Sequence, residues 1–190
     1  MTNAQKRRRK KSKSVYAPNP VLAADETHIL AILVNNEPGV LARVIGLFSG
    51  RGYNIESLTV AETDHIEHLS RITIVCRGTP DVITQIKTQV ERLVPVLEVS
   101  DLSIEGAHVE RELALVKVSC TGEKRIEALR SADIFRARAV DSTLESFVFE
   151  ITGTSEKVNA FIDLMMPLGL VDVSRTGIAA ISRGKDPIGA

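Results

Sequence analysis

The sequence predicts an α+β protein made of two ferredoxin-like βαββαβ domains in tandem. Short runs rich in β-branched residues alternate with amphipathic helical segments in the order strand, helix, strand, strand, helix, strand. The same order then occurs a second time with different residues. With 44% hydrophobic and 25% charged residues the chain has a globular composition, and with only 4% aromatics its cores must consist mainly of Val, Ile, Leu and Ala.

The first predicted domain covers residues 27–104. Its strands are apolar runs bounded by turn residues, and its helices carry apolar residues at i, i+3 and i+4. Gly50 and Gly52 are expected to end the first helix, because glycine commonly follows a helix C-terminus. Thr79 is predicted to be the N-cap of the second helix, which begins at Pro80. The predicted strands are 28–34, 53–63, 68–76 and 96–104, and the first helix is 40–50.

The second predicted domain covers residues 112–176 and follows a linker, 105–111. Ile126 and Leu129 are expected to face its core from the first helix, and Ser155 is expected to cap the second helix. Val158, Phe161, Ile162 and Met165 are the predicted inward residues of that second helix. The predicted strands are 113–120, 135–141, 144–152 and 170–176, and the helices are 123–131 and 155–166.

Both ends of the chain are expected to be tails, 1–26 and 177–190. Residues 6–13 carry seven positive charges, which leaves the remainder with a net charge of −7. We interpret 1–26 as a disordered basic extension, since untethered termini are usually unordered. No secretory signal and no membrane span is visible. Cys76 and Cys120 form no CxxC pair, so free, buried thiols in a reducing cytoplasm are the simplest interpretation.

No catalytic or metal-binding pattern is visible in the sequence. The chain lacks a GxSxG elbow, a P-loop and a GxGxxG motif. His65 and His68 are three residues apart, but no further ligand completes a set with zinc spacing. We therefore expect no catalytic residues and no metal site.

The connection between the first strand and the first helix is the best candidate for a binding site. The N–H groups at a helix start are unpaired and carry a partial positive charge, which suits a carboxylate. Gly39 would let a ligand approach the backbone, and the Asn36 amide suits either end of an amino acid. Val40, Leu41 and Ile55 would line an aliphatic side-chain pocket. An ordinary strand–helix turn explains the same residues, so the residues alone leave this choice open.

Longer motifs resemble the small subunits of acetolactate synthase, whose first domain is an ACT domain. The resemblance covers about residues 27–184. NxxG at a strand–helix turn is common to many ACT domains, whereas the next two motifs are far more specific. The matching segments are NEPGVLARV at 36–44, RGYNIESLTV at 51–60, GAHVERELALVKV at 106–118, SRTG at 174–177 and SRG at 182–184.

This resemblance implies a regulatory subunit that is not itself an enzyme. It implies a partner, the catalytic large subunit, which carries thiamine diphosphate, Mg²⁺ and FAD, so this chain should bind none of them. It also implies feedback inhibition by valine or another branched-chain amino acid, bound between the ACT domains of a homodimer. The effector-binding residues implied by the matching motifs are Asn36, Gly39, Val40 and Leu41 from one chain and Asn54 and Ile55 from the other.

Three other classes of protein remain as alternatives. An RNA-recognition module shares this order of elements, but it needs aromatic residues on its first and third strands, and here those strands have none. We therefore expect no nucleic-acid partner. A small enzyme on the same scaffold would be supported by a visible set of reactive residues, and the sequence shows no such set. The remaining alternative is an ACT-domain amino-acid sensor partnered with a different enzyme.

Overall fold

The computed structural model describes residues 25–64 and 66–188 and confirms the α+β class. Two antiparallel sheets each carry a helical layer, and each half runs through strand, helix, strand, strand, helix, strand. The first half consists of β1 (Glu26–Asn35), α1 (Val40–Gly50), β2 (Ile55–Asp64), β3 (Leu69–Gly78), α2 (Pro80–Glu91) and β4 (Val96–Asp101). The second half consists of β5 (His108–Ser119), α3 (Gly122–Phe135), β6 (Arg138–Ser142), β7 (Ser146–Gly153), α4 (Ser155–Gly169), β8 (Leu170–Arg175) and a further strand, β9 (Ala179–Ser182).

The first sheet has the strand order β2-β3-β1-β4, so β2 is an edge strand. One face of this sheet packs against α1 and α2 around Leu30, Val44, Phe48, Ile74 and Ile86, all at most 1% exposed. Successive side chains point to opposite faces of a strand, so the residues next to Leu30 and Ile74 in the sequence lie on the other face of the sheet. That second face meets the other half of the chain.

The second sheet has the order β6-β7-β5-β8 and packs against α3 and α4. Its core is built around Val116, Phe149, Phe161 and Met165, which are fully buried. Of the four residues of α4 predicted to face inward, three are buried, Val158, Phe161 and Met165, and Ile162 is half-buried against the same core. Aromatic contacts between Phe149 and Phe161, 6.0 Å apart at the ring centroids, help to fill a core otherwise made of aliphatic side chains.

A third apolar cluster joins the two halves. Ile29, Ala31 and Val75 of the first sheet pack against Ile178 and Ala180, which follow β8. Two hydrogen bonds support this contact: the Ile178 N–H donates to the Ser57 hydroxyl at 3.0 Å, and the Thr59 hydroxyl donates to the Ile178 carbonyl at 3.0 Å. The segment after β8 therefore ties the second half to β2.

The segments expected to be linker and tail carry regular structure. β5 begins at His108, inside the predicted linker 105–111, and its first four residues pair with β9, inside the predicted tail 177–190. Glu26 lies in β1, and the rest of the predicted extension 1–26 lies outside the described residues except Asp25. The division into domains at 27–104 and 112–176 stays a prediction.

The prediction for α3 is wrong in two respects. Ile126 and Leu129 are 54% and 40% exposed, whereas Ala128, Ser131 and Ala132 face the core. The small inward residues let α3 approach α4 closely. Ile126 and Leu129 have a spacing that fits one face of a helix, but that face is the outer one. The helix also continues to Phe135, which was predicted to begin a strand.

The cap of α4 also differs from the prediction. Its N-cap is Thr154, whose hydroxyl accepts a hydrogen bond from the N–H of Lys157, and Ser155 is the first helical residue. The Ser155 hydroxyl instead donates to a carboxylate oxygen of Glu112 at 3.0 Å. The predicted N-cap of α2, Thr79, is confirmed, with Pro80 at the first helical position.

Candidate functional site

The turn between β1 and α1 is held by backbone hydrogen bonds to both neighbouring strands. The N–H of Asn36 donates to the His68 carbonyl at 2.7 Å, and the N–H of Asn35 donates to the Pro95 carbonyl at 2.9 Å. These bonds tie Asn35 and Asn36, at the start of the turn, to the residues that precede β4 and β3. Backbone contacts thus set the position of the turn relative to the sheet.

The start of α1 is open. Gly39 is the N-cap residue with φ +84°, a left-handed conformation that favours glycine, and no side chain caps the helix. A Cβ atom added at Gly39 would meet no heavy atom within 4 Å. The Val40 N–H donates to the Glu37 carbonyl, whereas the N–H groups of Leu41 and Ala42 have no hydrogen-bond partner among the described residues. These groups and the helix dipole favour an anion.

The side chains around this turn differ in what they offer a ligand. Asn36 is exposed, and its amide makes no hydrogen bond with the described part of the chain. Leu41 is half-buried beside the core, whereas Val40 is only 6% exposed and packs into it. Val40 would therefore contact a ligand through its backbone rather than through its side chain. The amide, the open N–H groups and Leu41 together suit a small amino acid.

The other two predicted residues lie at the opposite end of the sheet. Ile55 is paired with Cys76, which is paired with His28 near the start of β1, whereas the turn follows Asn35 at the end of β1. At ~3.4 Å per residue this separation is about 24 Å. Within one chain the structure thus does not bring Asn54 and Ile55 to Asn36 and Gly39.

Cys76 does not have the properties of a nucleophile. Burial, with the negative charges of Asp101 and Glu56, raises the pKa of its thiol to about 11, so the thiol is protonated at neutral pH. Both cysteines are free and buried, as predicted. His68 lies in an exposed turn and His65 lies outside the described residues. No group of three or more metal-ligating side chains occurs in residues 25–64 and 66–188.

The sequence pattern did not predict an ion pair between the buried Glu112 and the partly exposed Arg175, which anchors the segment after β8. The guanidinium of Arg175 donates to both carboxylate oxygens of Glu112, from Nε at 2.7 Å and from Nη2 at 2.6 Å. Glu112 is only 4% exposed. These hydrogen bonds, and that from Ser155, hold the pKa of Glu112 below its usual value. The two partners lie in two of the segments that carry the family resemblance, GAHVERELALVKV at 106–118 and SRTG at 174–177, but neither segment indicated that they pair.

The same cluster lines a cleft of about 460 Å³ between the two halves. Gly177 sits at its edge with φ +83°, and a Cβ atom there would lie 2.5 Å from the Ser57 hydroxyl oxygen. Glycine is thus required for the chain to pass close to β2. This contact connects β2, which begins at Ile55, to the segment that the Glu112–Arg175 ion pair holds in the second half.

No helix in the described part of the chain is long and apolar enough to cross a membrane. That observation concerns the helices of residues 25–64 and 66–188 alone.

Comparison with known proteins identifies the family. Residues 30–98 match the family described as the acetohydroxyacid synthase (AHAS) small subunit-like ACT domain, and residues 111–184 match the family described as the small subunit of acetolactate synthase. A probable acetolactate synthase small subunit from Archaeoglobus fulgidus is 48% identical over 157 residues, which is 83% of this chain and 97% of that protein. The small subunit of acetolactate synthase isozyme 3 from Escherichia coli is 48% identical, with 82% and 95% covered.

A solved structure supports the same assignment. The crystal structure of the acetolactate synthase small subunit from Thermotoga maritima is 38% identical and superposes with a TM-score of 0.76, covering 85% of this chain and 99% of that one. Two independent family matches cover both halves, and relatives match over nearly their whole length. The chain therefore belongs to the family of acetolactate synthase small subunits, which are regulatory and non-catalytic.

Proposed function

We propose that this chain binds valine, or another branched-chain amino acid, at the start of α1 and confers feedback inhibition on the catalytic large subunit of acetolactate synthase. The observation that supports this most strongly is the open helix start at Gly39. Its N–H groups would receive the effector carboxylate, and the Asn36 amide would contact the polar end of the effector. Leu41 would contact the aliphatic side chain. Lysine would place an ammonium group against apolar surface, which is costly.

The proposed site is completed by a second copy of the chain. Asp64, at the end of β2, is paired with Leu69, which is also paired with Asn35 beside the turn. In an antiparallel pairing of two β2 strands, the start of the partner's β2 lies near the end of this one. Asn54 and Ile55 of the partner subunit would then approach the turn at Asn36 and Gly39.

The edge of β2 has the features expected of such an interface. β2 has a free edge in the described sheet, and Val60 on this strand is 43% exposed. Pairing two edges satisfies backbone groups that otherwise face water. Val60→Asp should therefore shift the protein to monomers in sedimentation velocity, whereas Leu97→Asp on the opposite edge strand, at a side chain 53% exposed, should not. Equal dimerisation of both variants would contradict this interface.

Effector binding must favour one arrangement of the dimer over another in order to regulate. We expect the effector to change the position of β2 relative to the second half of the chain, because Ser57 and Thr59 on β2 hydrogen-bond to Ile178. A coupling of roughly 5–150-fold between effector binding and catalytic-subunit activity would be typical. Thiamine diphosphate, Mg²⁺ and FAD would reside on the catalytic subunit. The free cysteines support a reducing, cytoplasmic location.

The test uses two matched glycine variants reconstituted with the catalytic subunit. Gly39→Asp puts a carboxylate where the effector carboxylate would bind. Gly122→Asp puts one at the start of α3, where the glycine also has positive φ and an added Cβ meets no atom within 4 Å. Both variants should activate the catalytic subunit, and only Gly39→Asp should lose inhibition by valine. Full valine sensitivity in Gly39→Asp would contradict the placement of the site.

A further inference from the structure

A second groove lies between the two halves, on the face of the first sheet opposite α1 and α2. Its volume is about 350 Å³. Its floor comes from β2 and β3, and its wall comes from the first residues of β5 and from β9. The lining residues are Thr59, Ala61, Thr63, Arg71, Thr73, Val109, Arg111 and Ala179–Ile181.

Arg71 supplies an unused donor to this groove. Its Nε atom is buried and has no hydrogen-bond partner within the described residues. Arg71 also makes no ion pair with a described carboxylate. A buried donor without a partner carries a free-energy cost, which a bound acceptor would remove.

Thr73, two residues further along β3, supplies a second unused polar group. Its side chain is only 4% exposed, yet its hydroxyl makes no hydrogen bond with residues 25–64 or 66–188. Thr59 and Thr63, by contrast, donate their hydroxyls to the carbonyls of Ile178 and Leu69. Thr73 is thus the lining threonine whose hydroxyl is available to a ligand.

Arg111 adds a second guanidinium from the other wall. Its Nη1 donates to the Glu110 carbonyl, and it pairs with no described carboxylate. None of the described residues that line the groove is acidic. Two unpaired guanidiniums without a nearby carboxylate favour an anion, and guanidinium groups match carboxylate geometry particularly well.

We propose that this groove binds a small aliphatic carboxylic acid that has no amino group, such as a 2-oxo or 2-hydroxy acid. The carboxylate would pair with Arg71 and Arg111, and Thr73 would donate to the adjacent oxygen. Ala61, Val109 and Ile181 would contact the aliphatic part, in the usual balance of apolar walls and few polar groups. The groove offers no acidic side chain to an α-ammonium group, so it would discriminate against amino acids.

The groove is separate from the site proposed at Gly39 and does not depend on it. Arg71 belongs to the first half and Arg111 to the second, so a ligand that bridges them would hold the halves together. The experiment compares two ligands with the same branched carbon skeleton: 3-methyl-2-oxobutanoate, which has a 2-oxo group, and L-valine, which has an amino group. Each is titrated into the purified full-length chain by calorimetry.

The expected result is saturable binding of 3-methyl-2-oxobutanoate that valine does not displace. Arg71→Gln and Arg111→Gln should each weaken it about tenfold or more, because a hydrogen bond to a charged group is lost. Arg111 is exposed, so its variant serves if Arg71→Gln fails to fold. Arg77→Gln, on the same strand but outside the groove, should have no effect.

Three results would overturn the proposal. The first is no saturable binding of 3-methyl-2-oxobutanoate to the unmodified chain. The second is equal affinity in the Arg71, Arg111 and Arg77 variants, which would place the ligand elsewhere. The third is tighter binding of inorganic phosphate, titrated as a comparator, than of the oxo acid, because that would assign the groove to phosphates. Loss of valine binding alone would instead contradict the site at Gly39.

Discussion

The two halves of the chain follow the same order of elements, yet their first strand–helix turns differ. The turn from β1 to α1 holds four residues, ends in the left-handed Gly39 and presents Asn36, whose amide has no partner in the described chain. The corresponding turn from β5 to α3 holds only Cys120, which is buried, and Thr121. The shared fold thus does not determine which half can bind a ligand, and the difference lies in the turn residues.

The polar residues of the two halves differ in a second way. At the turn of the first half Asn36 is exposed, although the same half also holds a buried hydrogen-bonded pair, His28 and Asp101. In the second half the buried carboxylate of Glu112 pairs with Arg175, which is 37% exposed, and this pair positions the segment running back to β2. Substitution of Asn36 is therefore expected to leave stability unchanged, whereas removal of Arg175 is expected to lower it.

The largest expected effect comes from Arg175→Ala. Removing the guanidinium leaves the Glu112 carboxylate without its two charged hydrogen bonds, but water can enter from the side of Arg175, which is 37% exposed, so we expect a loss of about 2–3 kcal/mol. Chemical denaturation should show this decrease in the free energy of unfolding. Arg138→Ala, which breaks the exposed pair with Glu150 in the same half, is the control and should cost less than ~1 kcal/mol. Equal losses in both variants would show that the Glu112 pair is not the anchor.

Two glycines with nearly identical φ angles give the next effect. Gly177→Ala and Gly39→Ala each place a side chain at a positive φ, +83° and +84°, but only Gly177 lies against Ser57. Strain costs on the order of 1–3 kcal/mol in each variant. Gly177→Ala should therefore be the less stable of the two in thermal unfolding, by roughly 1 kcal/mol for the added steric contact. Indistinguishable melting temperatures would mean that β2 moves aside freely.

A smaller effect should appear in the pH dependence of stability. The hydrogen bonds from Arg175 and Ser155 lower the pKa of Glu112 in the folded chain relative to its unfolded value. This contribution is fully present above the unfolded pKa of about 4.5 and is lost as the pH falls through the folded pKa. Denaturation between about pH 6 and 3 should show the advantage of the unmodified chain over Glu112→Gln shrinking with acid, mainly below the unfolded pKa of about 4.5.

Most of the fold followed from local patterns, but long-range pairing did not. The apolar runs and the glycine and proline boundaries gave the helices and strands of both βαββαβ units to within a few residues. β9 was missed because its four residues form a strand only by pairing with the first residues of β5, which local patterns do not reveal. The inward face of α3 was missed because small residues, rather than Ile126 and Leu129, pack against α4.

The candidate site was also predictable only in part, because it depends on residues that are distant from one another in the sequence. The sequence indicated the helix start at Gly39 through its strand–turn–helix pattern. Assigning Asn54 and Ile55 to the partner required the family resemblance, and the structure shows why: in one chain they lie at the far end of the sheet. The unpaired Nε of Arg71 and the hydroxyl of Thr73 had no sequence signal, since burial without a partner is a property of the folded chain.

The most direct test of the regulatory site is titration calorimetry of the full-length chain with valine, and with lysine as the comparator. Asn36→Ala should change the free energy of unfolding by less than ~0.5 kcal/mol, because the side chain is exposed and unbonded within the described residues. Valine should bind saturably to the unmodified chain, and to the control Asn159→Ala, but about tenfold or more weakly to Asn36→Ala. Lysine should not bind. Undiminished valine affinity in Asn36→Ala would contradict the assignment of the effector to the start of α1.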